Sequence, residues 1–144
     1  MTPIPSSIRP LFENAGFSRE SCNVLGAGHT AADIAQSIFR EFGGLEVGQC
    51  GRGEEMASSD VCFFSAPHTD QHEEVADWHK SLPSLFAVAE AHHNHMMVLV
   101  ADGGAYYFYT YPDGKLYLGG HSFIAAMECL LLGRRLGSAI DEDA

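Results

Sequence analysis

The chain has 144 residues, the size of one domain, and its 46% hydrophobic content supports a packed core rather than disorder. A formal net charge of −11 argues against direct nucleic-acid binding, which requires a basic surface. The sequence has no signal-peptide pattern, no apolar stretch long enough to span a bilayer and no CxxC pair among its four cysteines. We therefore expect a cytoplasmic protein with reduced thiols and no membrane association.

The N-terminal part is predicted to contain two helices. The first runs from about Ser7 to Ala15 and ends at Gly16, which supplies a left-handed residue. The second begins after Thr30, a capping residue, and ends at Gly43 and Gly44. Its apolar residues recur at helical spacing and predict one buried face: Ile34, Ile38 and Phe42.

Strand signals then alternate with a loop and a third helix. A strand is predicted to begin at 45–47, a polar loop to cover 52–59, and a second strand to include 61–64. Asp70 is a candidate cap for a third helix that ends at Pro83.

The last third of the chain shows short strand-like segments separated by turn residues, the pattern of a β-meander. Four strands are predicted over 85–91, 95–101, 105–110 and 115–118, because residues suited to tight turns separate them. Ser122 is expected to cap a final helix over 123–136, and a frayed acidic tail is expected from about 138 to 144. The fold class predicted is α+β: N-terminal helices, an antiparallel β-meander sheet packed against helices and a C-terminal helix, forming a single domain over 1–144.

A glycine-rich stretch, Gly26-Ala27-Gly28-His29-Thr30-Ala31, matches the G-x-G-x-x-[G/A] pattern of dinucleotide-binding proteins. That site also requires a buried strand before the first glycine and a further βαβ crossover, and neither is apparent. We interpret the stretch as a loop leading into the helix capped by Thr30, and we expect no cofactor.

A histidine cluster offers an alternative function. His92, His93 and His95 have a spacing at which His93 and His95 would share one face of a strand, as ligands of a metal do. A small metal-dependent hydrolase using this cluster therefore remains an alternative. The sequence specifies no further ligand and contains no recognisable nucleophile motif, so we predict no metal site and no catalytic residues.

Acidic residues concentrate around the polar loop and the predicted third helix. Such groups usually form solvated faces, but they also complement a basic protein and accelerate its association. We predict a partner-binding surface that combines these carboxylates with two aromatic side chains. Its members are Glu54, Glu55, Asp60, Asp70, Glu73, Glu74, Asp77, Trp78 and Tyr111.

Three stretches resemble one protein family. LFENAGFSRE (Leu11–Glu20) is similar to an opening helix that ends in A-G-aromatic, and IFREFGGLEV (Ile38–Val47) is similar to an F-x-x-F-G-G-L signature. The C-terminal block carries a D-x-G-x-[YF] turn at 102–106 and then G-x-[ST]-[FW]-x-x-A-[ML]-x-x-L-L-x-G at 120–133. Together they resemble the SUKH superfamily of bacterial immunity proteins, nearest its third subgroup.

The resemblance implies a function that the residues alone do not. It implies a non-enzymatic protein that binds and neutralises a cognate protein toxin, polymorphic or contact-dependent and often a nuclease with a basic cleft. A regulatory scaffold of SUKH type that binds a non-toxin protein is a further alternative.

Overall fold

Seven antiparallel strands follow one another in chain order across the main sheet of the computed structural model, which describes residues 1–67, 84–111 and 114–140. Two short strands, β1 (Thr2–Pro3) and β2 (Ser21–Cys22), pair separately. The main sheet consists of β3 (Glu46–Gly51), β4 (Ser58–Phe63), β5 (Leu85–Ala91), β6 (Met96–Ala101), β7 (Tyr106–Thr110), β8 (Leu116–Gly120) and β9 (Ala139–Ile140).

Three helices are present in the described part of the chain: α1 (Arg9–Asn14), α2 (Ala31–Phe42) and α3 (Phe123–Leu132). The predicted α+β fold with its antiparallel meander and C-terminal helix is thus confirmed. Among these described helices, none combines the length and the apolar character that crossing a membrane requires.

Two predictions about the C-terminal end were wrong. The last helix ends at Leu132 rather than Leu136, because Gly133 adopts a left-handed conformation, with φ 70°, that closes it. The tail predicted from about residue 138 forms β9 at Ala139–Ile140, which pairs with Leu116 and Tyr117 of β8. Residues 141–144 lie outside the described residues, as does the third helix predicted after Asp70.

The sheet is buried on both faces at its centre. All six residues of β6 are buried, and alternate side chains join different clusters: Met96, Val98 and Val100 pack toward the helices, and Met97, Leu99 and Ala101 pack on the opposite face. We call these the helix face and the opposite face of the sheet.

Five phenylalanines, Phe12, Phe17, Phe42, Phe63 and Phe123, form an aromatic core on the helix face. The ring centroid of Phe42 lies 4.7–5.3 Å from those of the other four. The core therefore joins α1, α2, β4 and α3 through the last residue of α2.

The glycine-rich stretch before α2 is a loop held by hydrogen bonds within the protein. Thr30 caps the helix by accepting a hydrogen bond from the Asp33 amide at 3.2 Å. The Asp102 carboxylate accepts the Ala31 amide at 2.7 Å, and the Gly103 amide donates to the His29 carbonyl at 2.9 Å. A side-chain carboxylate thus occupies the helix N-terminus where a dinucleotide's pyrophosphate would bind.

Candidate functional site

An open groove of about 420 Å³ lies at one end of the sheet, on its helix face. Its walls come from the loop between β3 and β4, the turn between β5 and β6, the ends of β7 and β8, and the segment after α3. The side chains that line it are largely apolar or aromatic, and they include Met56, His92, His95, Tyr111, Tyr117 and Leu136. We call this surface the groove.

The loop that forms one wall, residues 52–57, is docked on the C-terminus of α3. The amide of Glu54 donates to the Leu132 carbonyl, and those of Glu55 and Met56 donate to the Gly133 carbonyl, each at 2.8 Å. Because these carbonyls belong to the last helical turn, the loop satisfies acceptors that a helix end leaves unpaired. The docking places Met56, 39% exposed, at the groove.

Glu54 and Glu55 are exposed beside Met56 and bind the segment after α3. Glu54 Oε1 accepts from Arg134 Nε at 3.1 Å, and Glu55 Oε1 accepts from the Arg135 amide at 3.0 Å. The exposed ion pair between Glu54 and Arg134 contributes little to stability, because solvent screens its charges. Both residues are exposed next to Met56, in the loop that forms one wall of the groove.

A second wall of the groove is a tight turn with an uncommon backbone conformation. His92, His93 and Asn94 all have positive φ, at 49°, 53° and 70°. Side chains of β4 hold this turn: Ser59 Oγ accepts the His92 amide at 2.9 Å, and Asp60 Oδ1 accepts the His93 amide at 3.0 Å.

This turn separates the three histidines of the predicted cluster. His92 and His95 border the groove, whereas the His93 imidazole approaches Asp60 with Nδ1 3.5 Å from Oδ2. Burial lowers the pKa of His92 below its ordinary value of 6.5, which favours a neutral imidazole at neutral pH. The geometry therefore does not support one metal ion bound by all three.

A different set of groups comes together beside the turn. Cys50, Asp60 and His93 place one ligand atom each within 4.8 Å of one another, and Cys50 Sγ is 3.7 Å from Asp60 Oδ1. Asp60 was expected to contact a partner, but its oxygens are engaged by these two neighbours. Its side chain and that of Cys62 lie on the opposite face of the sheet, since Val61 and Phe63 pack toward the helices.

The predicted partner-binding residues are thus only partly brought together. Tyr111 lines the groove, Glu54 and Glu55 lie beside Met56 in the loop that forms one of its walls, and Asp60 supports the turn that borders it. Asp70, Glu73, Glu74, Asp77 and Trp78 lie outside the described residues.

Sequence reasoning missed Met56, Tyr117 and Leu136 in the groove and Cys50 beside Asp60. Met56 stands in a polar loop and Leu136 at the end of the segment predicted as the last helix, so no local signal marked either of them as part of a surface groove. Cys50 lies where the pairing of β3 with β4 shifts register, between Gly48 and Gly51. Such a register shift changes the direction of side chains, which the alternation of residues along a strand does not predict.

Fold and groove together define a class: an acidic α+β domain with an open, largely apolar groove at one end of its sheet. Residues 10–133 match the SUKH-3 immunity protein family. The match covers most of the chain, which therefore belongs to this family, in agreement with the resemblance found in the sequence. Searches of curated proteins and of solved structures found no match.

Proposed function

We propose that this protein neutralises a cognate toxin in the cytoplasm of the cell that makes it, by stoichiometric binding and without turnover. Membership of an immunity protein family is the observation that carries the proposal. The toxin would be of the polymorphic or contact-dependent kind, and a nuclease with a basic cleft is the partner that the charge of the chain fits best.

The electrostatic argument starts from a formal net charge of −11. An acidic protein attracts a basic cleft over a distance of about 10 Å at moderate salt, and the attraction raises the association rate. Carboxylates can then occupy the positions that substrate phosphates would take and so exclude the substrate. Direct binding of nucleic acid by the chain itself is disfavoured for the same reason.

The groove supplies the contact surface in this proposal. Apolar and aromatic side chains at its centre, such as Met56 and Tyr111, would be buried by a partner. Glu54 and Glu55 lie at its margin, where charges govern the association rate more than the final affinity. We extend the surface to the acidic residues 70–77 and to Trp78 as a further part of the proposal.

Co-expression with the C-terminal domain of the toxin encoded beside its gene tests the function. We expect the full chain to restore growth and to co-elute with the toxin domain as a stable complex. Failure of both would contradict neutralisation of that toxin. Growth rescue without a complex would instead contradict the stoichiometric mechanism.

Matched substitutions test the surface. Met56→Glu places a charge in the groove, and we expect it to raise Kd at least about 10-fold, the scale of an interface residue that costs more than 1 kcal/mol. Leu25→Glu is the control, because Leu25 is 36% exposed, close to the 39% of Met56, but does not line the groove.

The charges are tested separately. The double variant Glu54→Lys with Glu55→Lys should slow association and reduce its dependence on salt. Glu13→Lys is the control, because Glu13 is exposed on α1 rather than in the loop of 52–57 that forms one wall of the groove. Equal effects from groove and control variants would contradict the assignment of this surface while leaving neutralisation itself intact.

The regulatory-scaffold alternative predicts a different result in the same experiment. A scaffold would form its complex with a protein that is not toxic, so no growth defect would be available for rescue.

A further inference from the structure

Three potential metal ligands of different chemical type meet at the edge of the sheet. Cys50 comes from β3, Asp60 from β4 and His93 from the turn after β5, so residues far apart in sequence supply a thiol, a carboxylate and an imidazole to one place. The two acceptor oxygens of Asp60 face different neighbours: Oδ1 is 3.7 Å from Cys50 Sγ, and Oδ2 is 3.5 Å from His93 Nδ1.

These separations fit a small ion. Tetrahedral zinc has bonds of about 2.0–2.3 Å, which hold its ligand atoms roughly 3.3–3.7 Å apart. The separations of 3.7 Å and 3.5 Å fall in that range but start from different oxygens of Asp60, so a small rotation of the carboxylate has to bring one oxygen close to both neighbours. The third separation, between Cys50 and His93, is within 4.8 Å. The His93 side chain is 73% exposed, so a change of rotamer can shorten this last separation and leaves a path by which an ion can enter.

The donor set selects the metal. Calcium and magnesium prefer sites made of oxygen atoms, whereas a thiolate, an imidazole and a carboxylate together suit zinc. We propose that Cys50, Asp60 and His93 form a three-ligand site for one Zn²⁺ ion, with water in the fourth position.

The surroundings favour a cation. By the strand register Cys62 is paired with Glu46 on one side and Glu90 on the other, and all three lie on the same face of the sheet as Asp60. The carboxylates of Asp60, Glu46 and Glu90 therefore lie on one face of this part of the sheet, which favours a bound cation.

Binding has a defined proton balance. Zn²⁺ replaces the proton of the Cys50 thiol, which leaves to the solvent, and it takes the lone pair of a neutral imidazole nitrogen. Neither step involves oxidation. The bound ion would link β3, β4 and the turn of 92–94, and since His92 of that turn borders the groove, zinc would stiffen one wall of it.

The test uses the full chain without an affinity tag, reduced and freed of metal by a chelator. Zinc is titrated in competition with a chromogenic chelator. Cobalt, which reports its ligands by absorption, is titrated in parallel. We expect one ion per chain, a sulfur-to-cobalt charge-transfer band, and a melting temperature that rises with zinc concentration.

Three variants remove the ligands with little change of shape: Cys50→Ser, Asp60→Asn and His93→Asn. Asparagine is chosen at 93 because it tolerates the left-handed backbone found there. Each variant should weaken zinc binding at least about 10-fold, and Cys50→Ser should also abolish the charge-transfer band.

His92→Asn is the matched control, because it makes the same change at a neighbouring left-handed residue whose imidazole borders the groove. It should leave zinc affinity unchanged. The proposal is overturned if the wild-type chain binds no zinc, if the three ligand variants bind as tightly as wild type, or if His92→Asn weakens binding equally. Circular dichroism of the metal-free proteins checks that each variant folds. If Asp60→Asn does not fold, Cys50→Ser and His93→Asn are the variants that test the site.

This inference is independent of the proposed function. The zinc titration needs no toxin, so a chain that binds zinc but rescues no growth contradicts only the neutralisation proposal.

Discussion

The aromatic core and the groove lie on the same face of the sheet but are built in opposite ways. The core consists of buried rings from α1, α2, β4 and α3 and from Phe17, just after α1, with Phe42 in contact with the other four. The groove is built from a loop, a left-handed turn and strand ends, held by backbone hydrogen bonds and close approaches of glycines. Stability should therefore depend mainly on the first region, and recognition on the second.

The largest effect is expected from Phe42→Ala, which breaks the core at its centre. Phe42 is fully buried, and its removal leaves a cavity among four rings, so we expect a loss of about 3–5 kcal/mol in the free energy of unfolding. Urea denaturation measures the loss. Phe39→Ala is the comparison, because Phe39 is only half-buried on the same helix and should cost less. Equal losses would contradict the central role of Phe42.

Gly133→Ala should break the groove while leaving the core in place. Gly133 has φ 70°, and an added Cβ would lie 2.3 Å from the Met56 carbonyl oxygen and 2.7 Å from Gly53 Cα. We expect the loop of 52–57 to be displaced, at a cost of about 1–3 kcal/mol in stability. Hydrogen exchange should accelerate at the amides of Glu54, Glu55 and Met56.

Gly103→Ala is the control for Gly133→Ala, because it introduces backbone strain without a steric clash. Gly103 also has positive φ, 89°, but a Cβ there meets no atom within 4 Å. It should cost stability without accelerating exchange in the loop. Faster loop exchange in both variants would contradict the close-approach explanation.

Tyr106→Phe tests the energetic cost of a polar atom buried beside the aromatic core. In the described part of the chain, the hydroxyl of Tyr106 is a buried side-chain polar atom without a hydrogen-bond partner. An unsatisfied buried group costs about 1–3 kcal/mol, so removing the hydroxyl should raise the free energy of unfolding by roughly 1 kcal/mol. Urea denaturation of both proteins measures the gain, and a clear loss would show that the hydroxyl contributes a favourable interaction.

The smallest effect concerns pH. The pKa of Cys62 is raised from 9.0 to about 11 in the folded chain, so above about pH 9 the unfolded chain releases a proton that the folded chain retains. Stability should fall as pH rises from about 9 to 11, and Cys62→Ala should reduce the fall. Some fall should remain, because burial also raises the pKa of Cys22 and Cys129.

Urea denaturation at about pH 8 and pH 10, with a chelator present, tests whether the free energy of unfolding falls as pH rises. A stability that rises with pH, or a fall unchanged in Cys62→Ala, would contradict it.

Local sequence signals predicted most of the fold because their causes are local. Thr30 caps α2, Gly43 follows its last residue, and Ser122 caps α3, each by a hydrogen bond or backbone preference within a few residues. The predicted strand over 85–91 coincides with β5, and the two connections that separate β5, β6 and β7 lie where the sequence predicted turns. The family signature, too, is a series of such short elements.

The sequence by itself thus determined the class of fold, the buried face of α2 and the family, since periodicity, capping and turn preferences depend on near neighbours. Only the tertiary structure decided that the loop of 52–57 docks on the carbonyls of α3, that His93 turns away from His92 and His95, and that Cys50 meets Asp60. Side-chain directions at a register shift and in a left-handed turn are set by contacts between distant segments, and no periodic pattern encodes them.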